Sequence, residues 1–184
     1  MVVGELAITV IFITFSIQTQ EVFSSIIIGQ PHWTMFSLSG FLGGFTAGVM
    51  SNPIEIVYNR QAADGLLPDH LKRNYANFFD GLLKVNHERV LFRGAVATGC
   101  AFGLLNASMS GIYDYLKEYL YYFFGPPAWL RPLCLLPTAA FGAACYLPFD
   151  NIKVRLHTMR PLPNGQLPYL GTIDALRKVY KIFN

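Results

Sequence analysis

Charge is scarce in this sequence. Asp, Glu, Lys and Arg make up 14% of the 184 residues, against roughly a quarter in an ordinary soluble domain. None of the four occurs in residues 22–54, 94–113 or 132–149. A helix crosses a bilayer with about 20 apolar residues, so these stretches predict three spans. A fourth candidate, Leu6 to Ile28, is interrupted by Gln18, Gln20 and Glu21. The chain also lacks the constellations that chemistry requires. Cys100, Cys134 and Cys145 lie in apolar runs without CxxC spacing, which predicts reduced packing residues. His32, His70, His87 and His157 fall in expected loops or helix ends; a cysteine–histidine pairing stays open, but no nucleophile or metal set is visible. The expectation is therefore no enzyme, no catalytic residue and no metal. A net charge of +3 follows the membrane and gives no sign of a nucleic-acid partner. The N-terminus, MVVGELAITVIFITFSIQTQEVF, has no cationic leader and no small-residue cleavage site, so a removable signal is not expected.

What the sequence does hold is a repeated element. Residues 147–155 read LPFDNIKVR, with Pro148 followed by Asp150, Lys153 and Arg155. Residues 52–60 read NPIEIVYNR, with Pro53, Glu55 and Arg60 at the same offsets and Tyr58 where Lys153 stands. The two prolines are 95 residues apart, so the chain carries two versions of one unit. A proline inside a spanning helix frees a backbone carbonyl and kinks the helix. The acid and the cation then lie about one turn apart at one membrane face, placed to pair with neighbouring helices.

The rest of the chain fits around these elements. Ser37 to Arg60 predicts a spanning helix with Gly40, Gly44 and Gly48 on one stripe, which lets a second helix approach closely. After the Asp64-Gly65 turn and Pro68, Asn77 to Val85 predicts a short amphipathic helix along the bilayer surface, with Phe78, Leu82 and Leu83 on its apolar side. Gly94 to about Lys117 predicts the next span, ending in the aromatic stretch Tyr119 to Phe124. Gly125-Pro126-Pro127 is a tight loop, Ala128 and Trp129 begin a span that runs to Arg155, and Thr172 to Phe183 predicts a second short amphipathic helix. Aromatic residues beside these loops fit an interfacial belt. Of the 14 cations, only Lys117 and Arg131 sit opposite the two long polar segments, which places those segments on the cytoplasm-like or matrix-like face. The expected fold is an all-α, multi-pass membrane protein of about four transmembrane helices plus two short amphipathic helices on one face.

The proline-acid-cation elements, the short helix after each, and Phe92-Arg93-Gly94 opening the next span resemble the mitochondrial carrier family over residues 35–182. The run QAADGLLPDHLKRNYANFFDGLLKV and the stretch from Arg160 to Lys178 look most like its oxoglutarate and dicarboxylate branch. The resemblance implies a partial carrier fold: residues 1–60 as a divergent N-terminal helix with the end of the first repeat and start of the second, 61–125 as the remainder of the second, and 126–184 as the first half of the third. The first helix and a sixth span are then expected to be missing. Family membership also implies the mitochondrial inner membrane.

Several site expectations follow from the resemblance. Asp150 and Lys153 match the family's matrix-side salt-bridge network, with Lys153 expected to pair with Glu55. Tyr113, Asp114 and Lys117 match the aromatic-acid-cation motif of the opposite face, read as static packing. Aligned from Arg93-Gly94, the substrate-binding arginine of the oxoglutarate-like branch falls on Ala101. Phe92, Arg93 and Gly94 together with Tyr169, Leu170 and Gly171 match the paired motifs that hold cardiolipin, and Tyr75-Ala76-Asn77 is an imperfect earlier copy. No other cofactor is expected. The functional expectation is a degenerate carrier acting as a structural or accessory subunit of a large inner-membrane assembly such as a respiratory-chain complex, with membrane lipids and other subunits as partners. The alternative is transport of a small carboxylate metabolite, with the barrel completed by another chain.

Overall fold

The computed structural model describes residues 33–68, 70, 72–73, 75–125, 127–161 and 166–183, together with a few isolated positions before residue 33. The expected span from Leu6 to Ile28 therefore lies outside the described residues. Three long helical rods form the body. The first, α1 (Trp33–Asp64), contains Pro53. The second is built of α3 (Ala95–Ala107), a π-helical turn at Ser108–Ile112, and α4 (Tyr113–Phe124). The third, α5 (Leu130–Thr158), contains Pro137 and Pro148. Two short helices, α2 (Phe78–His87) and α6 (Thr172–Phe183), follow α1 and α5 respectively. There is no strand among the described residues. Ala95–Phe124 and Leu130–Thr158 are long and apolar enough to cross a membrane. α1 is of similar length, but glycine and serine dilute its apolar half.

The middle rod contacts both others, and glycine sets how closely it meets α1. A Cβ built on Gly44 would come within 2.5 Å of the Phe102 carbonyl oxygen, and one on Gly48 within 2.9 Å of that of Thr98. The arrangement is reciprocal. Cβ atoms on Gly99 and Gly103 would meet the Phe45 and Phe41 carbonyl oxygens at 3.1 and 3.0 Å. Two stripes at four-residue spacing thus interlock, Gly44 and Gly48 on α1 with Gly99 and Gly103 on α3. Close backbone approach gives dispersion contact that needs no hydrophobic driving force, which is how helices associate in lipid. At the far end of this seam the Ser110 hydroxyl, in the π-helical turn, donates to the Phe36 carbonyl at 3.0 Å. The expected single helix ending near Lys117 instead turns once in π geometry and continues to Phe124.

The short helices seal the other end. On α2 the buried face is Phe78, Leu82 and Val85, which pack on Ile56 and Val57 of α1. Leu83, expected on that face, is 69% exposed, as is Phe79 at 75%. Successive helical residues turn by about 100°, so Leu83 leaves the stripe that spacings of four and three define. On α6, Ala175 is fully buried against Ala97, Ile152 and Leu156, joining α3, α5 and α6.

Candidate functional site

Polar side chains gather where α1, α3 and α5 meet, near the two proline elements. Pro53 and Pro148 both sit inside unbroken helix. Lys153 is the centre. Its Nζ lies 3.0 Å from Glu55 Oε2 on α1 and 3.0 Å from Asp150 Oδ1 on its own helix. The ammonium also stands over the Phe102 ring, 4.9 Å from its centroid, and the Tyr146 hydroxyl donates to Asp150 Oδ1 at 2.6 Å. The Lys153 and Glu55 side chains are 4% and 12% exposed, whereas Asp150 keeps 30%, so the cluster opens to one side at Asp150. One cation between two carboxylates leaves the cluster with an excess negative charge. The pairing of Lys153 with Glu55, expected from the sequence, is present.

A second polar network lies beside it. Asn52 donates to the Leu91 carbonyl at 2.7 Å and accepts from the Thr98 hydroxyl at 2.8 Å. His157, fully buried, places Nε2 3.2 Å from Asn52 Oδ1 and Nδ1 2.9 Å from Asn59 Nδ2. These contacts fit a neutral imidazole that donates from Nε2 and accepts at Nδ1. Arg60, 2% exposed, completes it: Nη1 meets Glu88 at 2.8 Å and Nε donates to the His157 carbonyl at 3.1 Å. Nearby, Asp64 receives Arg73 at 3.3 Å and Arg160 at 3.4 Å. Burial, then the charges of Arg60 and Arg160, lower the Arg73 pKa from its usual value. Sequence reading missed Asn52, Asn59, Thr98 and His157 as a set because they are scattered polar residues on three different helices.

The other expected site residues fall in three places. Arg155 is exposed, and its side chain makes no hydrogen bond or ion pair among the described residues. At the opposite end, Lys117 pairs with Asp114 at 2.8 Å within α4 and stands over the Tyr113 ring at 5.4 Å, so that motif is closed on its own helix. Ala101 is fully buried. Finally, Phe92, Arg93 and Gly94 converge with Tyr169, Leu170 and Gly171 on one open cleft of about 670 Å³. Gly94, at φ +77°, turns the chain into α3, and a side chain there would press on His157 at 3.2 Å. The Gly171 carbonyl accepts from the Ala175 N–H at 3.0 Å and so begins α6. The cleft thus lies where two helices start.

The short helices repeat one another in detail. Asp80 accepts from the Ala76 N–H at 3.0 Å and from Lys84 at 2.8 Å; Asp174 accepts from the Leu170 N–H at 3.1 Å and from Lys178 at 2.8 Å. Lys84 lies over Tyr75 at 5.5 Å and Lys178 over Tyr169 at 5.7 Å. In each helix a carboxylate returns to an unsatisfied N-terminal N–H.

Two proline-bearing helices, each followed by the same short helix and joined by the buried Lys153–Glu55 pair, together with two helices long and apolar enough to cross a membrane, define a helical membrane protein built of repeats. The chain belongs to the mitochondrial carrier family: a family model described as mitochondrial carrier protein matches residues 30–123. It is 52% identical over 144 residues to a macronuclear solute carrier homolog from Oxytricha fallax, covering 78% of this chain and 38% of that protein. It is 30% identical over 149 residues to the mitochondrial dicarboxylate/tricarboxylate transporter of Arabidopsis thaliana, covering 79% and 50%. A probable mitochondrial 2-oxoglutarate/malate carrier of Dictyostelium discoideum is 31% identical over 158 residues, covering 81% and 48%. The chain spans between about two-fifths and half of the length of these relatives.

Proposed function

We propose that this chain forms part of a transport pathway of the mitochondrial inner membrane, through which a small carboxylate metabolite passes, with the remaining wall supplied by helices other than those described. The observation that carries this reading is the Glu55–Lys153–Asp150 cluster. It locks α1 to α5 across two repeats yet leaves one carboxylate open to solvent on one side. A buried pair of this kind holds helices together only while its charges stay matched. A lock made of ion pairs can also open without breaking covalent structure, which suits alternating access. The names of the dicarboxylate and 2-oxoglutarate relatives supply the substrate class. Ala101 offers no charge, so the countercharge for a bound carboxylate comes from the remaining wall.

That same alanine favours a second reading, a structural or accessory subunit of a larger inner-membrane assembly such as a respiratory-chain complex. The two separate cleanly. Reconstituted into sealed vesicles with its completing partner, the protein should exchange labelled 2-oxoglutarate or malate with saturable kinetics, and Lys153→Ala should abolish exchange. No exchange, with comigration of the protein in a respiratory complex after mild detergent, would overturn transport in favour of the accessory role.

The cleft at Arg93 and Gly171 is the lipid site in this reading, with cardiolipin as the ligand. Free N–H groups and positive dipole ends at the starts of α3 and α6 attract phosphate. Arg93 adds a full charge that has no ion-pair partner among the described residues. Loss of bound cardiolipin from Arg93→Ala, read by mass analysis of the purified protein, is the expected result; unchanged retention would remove the lipid from this cleft.

A further inference from the structure

The boundary between α1 and α5 differs in kind from the other seams. α1 meets α3 through interlocked glycines, and α5 meets α3 and α6 through the apolar cluster of Ala97, Ile152, Leu156 and Ala175. Neither of the two buried apolar clusters contains residues of both α1 and α5. Polar contacts join them instead. Besides Lys153 on Glu55 and His157 on Asn52 and Asn59, two arginines reach the last carbonyls of α5. Arg60 Nε donates to that of His157 at 3.1 Å and Arg73 Nη2 to that of Thr158 at 2.9 Å.

Arg73 belongs to neither helix. It lies in the segment between α1 and α2 and is held to the end of α1 by Asp64. That carboxylate accepts from the Arg73 backbone N–H at 2.9 Å and from Nη1 at 3.3 Å. The second guanidinium nitrogen crosses the boundary to the Thr158 carbonyl, where α5 ends. A helix end leaves carbonyls without a partner and carries the negative pole of the dipole, so a cation there supplies both the missing donor and the matching charge. The Thr158 carbonyl is thus capped from the neighbouring repeat. Asp64 also draws Arg160, from the chain just after α5, to 3.4 Å. The Arg73 and Asp64 side chains are 15% and 11% exposed, which shields these contacts from salt.

We propose that Arg73 is a latch of the α1–α5 boundary: a positioning residue that holds the end of α5 against α1 and has to release the Thr158 carbonyl before the boundary opens. The proposal rests on the transport reading given above, in which the ion pair of Lys153 with Glu55 is the lock. Lys153 and Thr158 lie on one helix about 7.5 Å apart along its axis, so lock and latch sit in neighbouring turns and let go together. The planar guanidinium fork suits this role, since it holds the Asp64 carboxylate and the Thr158 carbonyl at once. When the latch opens, Asp64 keeps Arg73 on the α1 side, ready to close again. The α1–α3 glycine seam is untouched, because none of the broken contacts belongs to it.

The test is pulsed electron-spin distance measurement on the full chain in lipid vesicles, with genetically encoded spin labels at Leu66 and Arg155, both exposed, and thermal unfolding read in parallel. The protein with Arg73 intact should give a dominant short-distance population. Arg73→Met should raise the ratio of long to short distances about tenfold, as expected for losing one charged hydrogen-bonding group. Arg73→Gln keeps a donor for Asp64 but is too short to reach Thr158 as well, so it should open the boundary to a similar degree with a smaller loss of unfolding temperature. A lowered unfolding temperature with unchanged distances in both variants would overturn the latch and leave Arg73 an anchor of its own segment. Opening by Arg73→Met but not by Arg73→Gln would overturn it too, by assigning the effect to Asp64 alone. Lys153→Met separates the two levels: if it opens the boundary where the Arg73 variants do not, the lock stands without the latch, and if it also leaves the distances unchanged, the lock itself falls.

Discussion

The two proline elements start from nearly the same residues and are used differently. At the end of α1, Arg60 is 2% exposed and bonded to Glu88, Tyr75 and the His157 backbone. At the end of α5, its counterpart Arg155 is exposed and unpaired among the described residues. The lysine position shows the opposite bias, with Lys153 buried between two carboxylates and Tyr58 in the matching place on α1. The difference comes from enclosure: Glu88 and the His157 backbone close over Arg60, while Arg155 lies with Val154 on the exposed face of α5. A charge surrounded by protein has to be matched or it destabilises the fold. A charge left in solvent contributes little either way. The short helices, by contrast, keep the same Asp, Lys and Tyr contacts in both copies because those contacts are local and need no enclosure.

The comparison is broken most severely at Lys153. Lys153→Ala strands Glu55 in a buried position and should cost about 3–5 kcal/mol, read as lost thermal or denaturant stability in detergent. Retention of full stability would mean that the pair is not enclosed. Next come the two arginines. Arg60→Ala removes hydrogen bonds at a buried site and should cost about 2 kcal/mol, whereas Arg155→Ala should stay within about 0.5 kcal/mol. Equal effects in the same assay would erase the contrast between the copies. The smallest effects belong to Asp80→Asn and Asp174→Asn. The Lys84 and Lys178 hydrogen bonds, then a backbone N–H, hold these exposed carboxylates below the usual aspartate pKa. Their stabilisation is therefore present at neutral pH and fades as pH falls below the ordinary aspartate value toward the lower folded one. The two variants should flatten that acid-side loss slightly and to the same degree, since the helices share their geometry.

Much of this was legible in the sequence where spacing is local. The proline, acid and cation offsets announced both elements, and the charge-free runs announced the long helices. The stripe of Gly40, Gly44 and Gly48 predicted a close partner, and α3 is that partner. Its own stripe of Gly99 and Gly103 has the same four-residue spacing, within a charge-free run whose apolar character dominates its pattern. The Asn52–Thr98–His157–Asn59 network was not legible, because its members come from three helices and each resembles an incidental polar residue. Arg89 gave no signal either: nothing in the string HERVLFRG says that its backbone takes the conformation usual for glycine. The π-helical turn at Ser108–Ile112 gave no signal in its own sequence; its Ser110 hydroxyl donates to the Phe36 carbonyl, more than 70 residues earlier in the chain.

The central claim, that Lys153 joins the two repeats by an enclosed ion pair, is tested most directly by a double-mutant cycle of Glu55→Gln and Lys153→Met. The expected result is that the double variant is more stable than Lys153→Met alone, with a coupling of at least about 2 kcal/mol. Additive losses, with no coupling between the two positions, would contradict it.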